Sequence, residues 1–179
     1  MREVTKDKKI VVLRPDALER AGRSIAIDKL EAPVLREAFE IWSRLCDGRS
    51  FPAYSASTPS QFKRYLRNLA LIRVIDDGKE FEFRVVGDAF LVAHGFTAQG
   101  LNTAQADALS PGFGAASRRI FARVRRTKQP LALSGVLERN IADHSDLLQE
   151  SLYLPLGPSD KYVDYILCFA IFVSRVALS

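Results

Sequence analysis

The stretch KEFEFRVVGDAFLVAHGFTAQGL, residues 79–101, joins a strand to a short helix, and the rest of the chain is arranged around it. Residues at alternate positions place three apolar side chains on one face of the strand: Phe81, Phe83 and Val85. Gly87 ends the strand, Asp88 is placed to cap a helix from Ala89 to Ala93, and Gly95 stops that helix. A strand that runs into a short helix bounded by glycines predicts one wall of a small pocket.

Composition predicts one globular domain with an extension. Of 179 residues, 47% are hydrophobic and 26% charged, which is enough apolar material for a core. The formal charge of +5 is too small to indicate a nucleic-acid-binding protein by itself. We therefore expect an N-terminal extension over residues 1–32 and a domain over residues 33–179.

Two amphipathic helices frame the predicted domain. Pro33 to Asp47 has a proline in its first turn, a broad apolar face and Gly48 just beyond its end. A second helix is predicted from about Gly114 to Lys128, because Pro130 forbids its continuation. Trp42 is expected to anchor the first helix on a sheet, with ligand stacking as the alternative.

The remaining periodic segments are strands. One runs from Leu69 to Ile75, and an Asp-Gly turn joins it to the strand in residues 79–101. Three more occupy the last third of the chain, of which Asp160 to Val173 is apolar on both faces and is therefore expected to be covered on both. The segment from Leu101 to Pro111 carries no periodicity and is predicted to be irregular.

The order of these elements resembles that of a PAS domain, and more closely the PAS-like family of alphaproteobacteria long catalogued as a domain of unknown function. The resemblance extends from about Val34 to Val173. It rests on a set of short motifs in order: Ile41-Trp42, Gly48-Arg49, Pro52, Phe83 to Gly87, Gly95, Gly100, Glu150 and Leu154-Pro155-Leu156. The resemblance implies an α+β fold, a five-stranded antiparallel sheet with clasping helices, and small-ligand sensing or protein–protein signalling.

A pocket of this kind would be lined by residues that point inward from the sheet and the helices. The candidates are Phe83, Val85, Phe90, His94, Phe121, Leu137, Glu150, Leu152 and Leu167. Each is also a plausible core residue. Glu150 shares a strand face with leucines and needs a partner there, which is either a ligand or a side chain such as Arg84 or a tyrosine.

The sequence indicates a small organic ligand more than a coloured cofactor. His94 lies at the end of the short helix, where some haem-binding PAS domains carry an iron ligand, but a single histidine at a helix end is more often a cap or a surface residue. Neither Cys46 nor Cys168 lies in the context of a flavin-adduct light sensor, and they do not have metal-ligand spacing. We therefore expect no metal, and neither haem nor flavin.

A basic arc on the second helix is the strongest electrostatic feature of the sequence. Its anion- or partner-binding candidates are Arg118, Arg119, Arg123 and Arg126. A solvated face is the alternative. Aromatic residues are not interleaved with the arc and no helix-turn-helix is evident, so specific nucleic-acid recognition is not expected.

Catalytic signatures are missing from the sequence: it has no phosphate loop, dinucleotide-binding glycine motif or nucleophile elbow. The most apolar run, Tyr162 to Val176, is interrupted by charges, so we expect no membrane span and a cytoplasmic protein. We predict a single-domain sensor without an output domain, signalling as a homodimer through the Pro33 to Asp47 helix and a sheet face, or through a protein partner. The alternative is a constitutive, ligand-free adaptor that docks an acidic partner on the arc from Arg118 to Lys128.

Overall fold

The computed structural model of the protein describes residues 22–55, 58–137 and 146–174. Its strands are β1 Arg23–Ile25, β2 Leu69–Ile75, β3 Glu80–Val86, β4 Leu131–Leu137, β5 Leu147–Leu156 and β6 Tyr165–Ser174. All neighbouring strands are antiparallel, in the order β1-β4-β5-β6-β2-β3. The fold is therefore α+β with one open sheet.

The sheet has six strands, whereas five were expected. The additional strand, β1, pairs with β4 so that Ser24 lies opposite Leu133. Three residues of mixed polarity carry too little periodicity to be recognised as a strand, and only the free edge of β4 gives them a partner. Within the predicted extension, residues 1–21 lie outside the described residues, while Leu30 is buried in the core.

Five α-helices lie in the described part of the chain: α1 Pro33–Leu45, α2 Thr58–Gln61, α3 Asp88–His94, α4 Thr103–Leu109 and α5 Phe113–Thr127. The two long amphipathic helices, α1 and α5, are confirmed with ends shifted by up to two residues. Helix α4 corrects the expected irregular segment. Its start is a capping box in which Asn102 and Gln105 satisfy each other's backbone amides, a local signal that does not require apolar periodicity.

The opposite faces of the sheet carry different helices. Helix α1 covers the face that carries Leu152, Leu154 and Leu167, called here the outer face. Trp42 Nε1 donates a hydrogen bond of 2.9 Å to the carbonyl oxygen of Pro155 in β5, which confirms Trp42 as the anchor of this helix. Helices α3 and α5 lie over the other face, the inner face, where Phe121 contacts Tyr153 with ring centroids 6.2 Å apart.

The turn from β3 into α3 differs in one detail from the sequence expectation. Gly87 is the N-cap, and Asp88 is the first helical residue and makes no capping hydrogen bond. Gly87 is needed because a side chain there would lie 2.2 Å from the carbonyl oxygen of Leu66. Gly95 ends the helix in the left-handed region at φ 76°, as expected of a C-terminal glycine.

Candidate functional site

A partly enclosed cavity of about 80 Å³ lies between the inner face of the sheet and helices α3 and α5. On the same measure a single water needs roughly 10–15 Å³, so the cavity has room for several waters or for a small organic molecule. It is the site that the strand-to-helix stretch was expected to form, because β3 and α3 supply part of its wall.

Phenylalanine rings make up much of the cavity wall. They come from β3, α3, the loop after α3 and α5: Phe83, Phe90, Phe96, Phe113 and Phe121. Phe83 stacks on Phe113 at 5.8 Å, and Phe96 meets Phe113 edge to face at 5.0 Å. The ring contacts hold the wall together across elements distant in sequence, so its shape depends on the whole domain.

The floor of the cavity is formed by the central strands of the sheet. Tyr153 in β5 and Cys168 in β6 lie directly opposite each other in the register. Burial, helped by the adjacent Cys168, raises the pKa of the Tyr153 phenol well above its ordinary value. Burial likewise raises the pKa of the Cys168 thiol to about 12. Both groups are therefore neutral at physiological pH.

His94 packs among aromatic rings at the C-terminal end of α3. Its ring centroid lies 5.0 Å from that of Phe113 and 5.7 Å from that of Phe172, both edge to face. The side chain is half-buried and its Nδ1 atom is enclosed. The imidazole ring is therefore part of the aromatic packing of the cavity wall.

The structure brings five of the nine predicted pocket residues together around the cavity. They are Phe83, Phe90, His94, Phe121 and Leu137. Leu152 and Leu167 are fully buried but belong to the outer-face core, on the side of the sheet away from the cavity. In an antiparallel sheet that is apolar on both faces, alternation alone does not say which face lines the cavity.

Val85 does not point into the cavity, contrary to the expected alternation along β3. A register shift between Leu71 and Ile72 lets two residues of β3 oppose one step of β2, so Val86 and not Val85 follows Phe83 on the inner face. Val85 is 38% exposed. A one-residue bulge reverses the sides of all subsequent residues, and the local sequence does not mark it.

Glu150 is also on the outer face, where its carboxylate caps α1. It accepts hydrogen bonds from the amides of Glu31 at 2.9 Å and Ala32 at 2.8 Å, immediately before the first turn of the helix. Sequence reasoning put Glu150 on the same strand face as leucines, and that face is correct. Its partner, however, is a helix N-terminus, whereas Arg84 pairs with Glu82 at 3.1 Å.

Cavity residues that sequence reasoning missed come from β2, β3, the loop after α3, α5, β5 and β6. They include Phe96, Phe113, Gln149, Tyr153 and Cys168. Gln149 and Tyr153 share the inner face by alternation, so choosing Glu150 as a pocket residue excluded them. The available signal was the alternation itself, which places Gln149 and Tyr153 on the face of β5 opposite to Glu150.

The basic arc of α5 is partly engaged within the domain. Arg118 binds Glu80 at 2.6 Å and donates to Thr103 Oγ1, which also hydrogen-bonds Glu80. Arg125 binds Asp77 at 2.9 Å in the β2–β3 turn. These pairs fasten the hairpin to α5, so the Arg118 side chain is occupied by an intramolecular role.

Glu80 is the acidic centre of this attachment. Partial burial is the largest single influence on its carboxylate and opposes ionisation. Hydrogen bonds from Thr103, Phe81 and Ala104, together with the charge of Arg118, outweigh it, so the pKa of Glu80 lies below its ordinary value. The carboxylate is therefore charged across the neutral range.

The other predicted basic residues remain at the surface. Arg119 and Arg123 line a groove of about 320 Å³ between α5 and β4, above the apolar side chains of Leu131 and Leu133. Neither these two arginines nor Arg126 has an ion pair within 4 Å to another residue in the part of the chain that the structure describes. The groove thus combines positive charge with an apolar floor.

Among the described residues, no group of three or more histidine, cysteine, aspartate or glutamate side chains has the geometry of a metal site. Within the same ranges, no helix has the length and apolar content required to cross a bilayer. Comparison with family models, curated proteins and solved structures found no match to this chain.

Proposed function

We propose that this protein is a PAS-like sensory module that binds a small ligand in the cavity and signals through association. The observation that carries the proposal is the aromatic cavity between the sheet and helices α3 and α5. Small-molecule sites are concave, mostly apolar and supplied with a few polar groups, as this cavity is with Ser117, Gln149 and Tyr153. The order of elements from α1 to β6 also supports the proposal, because it is the order on which the PAS resemblance rests, with β1 as an additional strand.

The sheet offers a route from the cavity to the outer face. Tyr153 lies on the cavity floor, whereas its neighbours Leu152 and Leu154 are fully buried on the face that α1 covers. The same strand, β5, holds α1 through the Trp42–Pro155 and Glu150–Ala32 hydrogen bonds. A ligand that moves β5 therefore changes the position of α1 on the sheet. This change alters the surface that is available to a second copy of the chain or to a partner.

The first test is to compare native and denaturing mass spectra of the purified protein and to record its absorbance. A mass retained only under native conditions would identify a bound ligand. Light scattering with and without that ligand should then show a change in oligomeric state or in partner affinity. A protein that stays monomeric at high concentration and recovers no partner from its host would contradict signalling through association.

A second candidate function is docking of an acidic partner on the exposed arginines of α5. Arg119 and Arg123 line the groove between α5 and β4, Arg126 follows on the same helix, and none of the three has an ion pair in the described part of the chain. Reversal of Arg119, Arg123 and Arg126 to glutamate should abolish such docking and leave the fold intact. The matched control reverses Arg44, Lys63 and Lys161, which are exposed elsewhere on the domain. Equal loss of binding in both triple variants would indicate net charge alone, and unchanged binding in the groove variant would exclude this function.

A further inference from the structure

The described residues that line the cavity include no aspartate, glutamate, lysine or arginine, and their one histidine, His94, packs edge to face against Phe113 and Phe172. Tyr153 and Cys168 on the floor stay neutral, as shown above. A charged ligand would leave water without gaining a counter-charge, and an unpaired buried charge is strongly disfavoured. The cavity therefore selects a molecule without net charge.

The walls also select for shape. Phenylalanines from four segments present both faces and edges to the cavity, as the stacked Phe83–Phe113 pair and the T-shaped Phe96–Phe113 pair illustrate. An aromatic ligand adds edge-to-face and offset contacts to such walls beyond the contacts made by an aliphatic molecule of equal size. The sulfur of Cys168 on the floor is a further favourable neighbour for a ring.

Volume and polarity limit the ligand further. The enclosed volume of about 80 Å³ is about half of the ~150 Å³ apolar cavity that accommodates benzene in an engineered protein. A single ring therefore has to extend into the open side of this partly enclosed cavity, and one ring is the upper size. Ser117, Gln149 and Tyr153 supply hydrogen-bonding groups for one polar substituent. A fused polycyclic molecule exceeds this space.

We infer that the ligand is a neutral molecule with one aromatic ring and a small hydrogen-bonding substituent. The inference rests on the proposed function, because it specifies the ligand of the same cavity. It predicts selectivity among four simple probes: phenol, cyclohexanol, benzoate and 2-naphthol.

Binding of each probe is measured at neutral pH by calorimetry and thermal shift. Phenol should bind at least about fivefold more tightly than cyclohexanol, which has the same number of heavy atoms and the same hydroxyl group but no aromatic ring. It should bind at least about tenfold more tightly than benzoate, which carries a charge. The two-ring 2-naphthol should not bind.

The location is tested with a matched pair of variants. Ser117→Leu places an isobutyl group into the cavity, whereas Ala115→Leu places the same group on the exposed side of the same helix. Phenol binding should be lost in the first variant and kept in the second. Because Ser117→Leu could also disturb packing, intermolecular NOEs from phenol to the methyl groups of Ile72 and Ile120 provide a test on the unmodified protein.

Each failure has a distinct meaning. Cyclohexanol that binds as well as phenol overturns the aromatic preference, and benzoate that binds as well overturns the neutrality requirement, while both leave a ligand site in place. Tight binding of 2-naphthol overturns the size limit. If no probe binds at millimolar concentration but mass spectrometry finds a retained ligand, the inference about the ligand's chemistry is wrong and the sensory proposal stands. If no probe binds and mass spectrometry finds no retained ligand, the sensory proposal fails as well.

Discussion

Asp164, just before β6, is a carboxylate whose ionisation the fold opposes. It is partly buried, and its Oδ1 atom has no hydrogen-bond partner in the described parts of the chain. Burial raises its pKa above the ordinary value of 3.8, although amide hydrogen bonds from its own backbone and from Tyr165 act in the other direction. The charged form therefore costs stability at neutral pH.

Asp164→Asn should raise the melting temperature at neutral pH, because the amide removes the partly buried charge and keeps the shape. Because the pKa is raised in the folded state, the charge of Asp164 does not lower the free energy of unfolding when the pH is below 3.8. The full loss of stability is reached only when the pH exceeds the folded-state pKa. We expect a gain of about 1–3 °C at neutral pH and none in acid. Thermal unfolding of both proteins as a function of pH checks this, with the exposed Asp28→Asn as control. A gain that is independent of pH would contradict the assignment.

Glu80→Gln should have the opposite pH dependence. The pKa of Glu80 is lowered in the fold, so its contribution is complete above the ordinary value of 4.5 and is lost as pH falls through the folded-state value. The variant should be less stable than the parent protein by about 1–2 kcal/mol at neutral pH, since Arg118 loses its charged partner. Urea unfolding should show the two proteins converging in acid. A constant difference down to strongly acidic pH would rule out the titration of Glu80 as its cause.

Helix α1 shows how an element can depend on a distant side chain. Its N-cap is Ala32, it has no acidic residue in its first turn, and Glu150 of β5 supplies the missing negative charge. Glu150→Gln should destabilise the protein by about 1 kcal/mol, measured by urea unfolding. The control is Glu40→Gln, an exposed carboxylate within the same helix that should change stability little. Equal losses in the two variants would mean that Glu150 does not act as a cap.

Helices α4 and α5 meet at Gly114 without room for a side chain. A Cβ there would lie 1.8 Å from the carbonyl oxygen of Thr103 and 2.7 Å from Cβ of Asp107. Helix propensity predicts that Gly114→Ala stabilises by up to about 1 kcal/mol, whereas the contact predicts a loss of roughly 2 kcal/mol or more. Chemical unfolding decides between the signs. The control is Ala122→Gly on the exposed side of α5, which should lower the free energy of unfolding by about 1 kcal/mol through helix propensity alone. A Gly114→Ala variant that is more stable than the parent protein would refute the close contact.

For the chain as a whole, the sheet is the shared partner of both helical layers. One buried cluster includes Trp42 of α1 and Phe121 of α5, together with buried side chains of β5 and β6. We therefore expect α1 and the cavity layer to unfold together. Urea transitions followed by Trp42 fluorescence, which reports on α1, and by far-ultraviolet circular dichroism should have the same midpoint. An earlier fluorescence transition would identify α1 as a separately melting unit, and its coupling to the cavity would lose support.

The local elements were largely predictable from the sequence. The amphipathic period of α1 and α5, and strands such as Leu69–Ile75 and Leu147–Leu156, correspond to the observed elements because side-chain patterning and turn residues act over a few positions. Gly95 as a helix stop has the same local origin. The prediction of an irregular segment from Leu101 to Pro111 was wrong, because α4 begins there at the Asn102–Gln105 capping box. A capping box depends on single residues and leaves no apolar periodicity in the sequence.

The amino-acid sequence alone determined the α+β class, the long helices and the strand-to-helix stretch that forms a cavity wall. Tertiary structure decided which face of each strand the cavity uses. The bulge in β3 turned Val85 outward, the pairing of β5 with β6 set Tyr153 and Cys168 on the floor, and β1 joined the sheet only because β4 offered an edge. The physical reason is that the local period specifies only that side chains alternate between the two faces of a strand. Which of the two faces lines the cavity depends on strand register and on the packing of the helices, and both are set by contacts between residues distant in sequence.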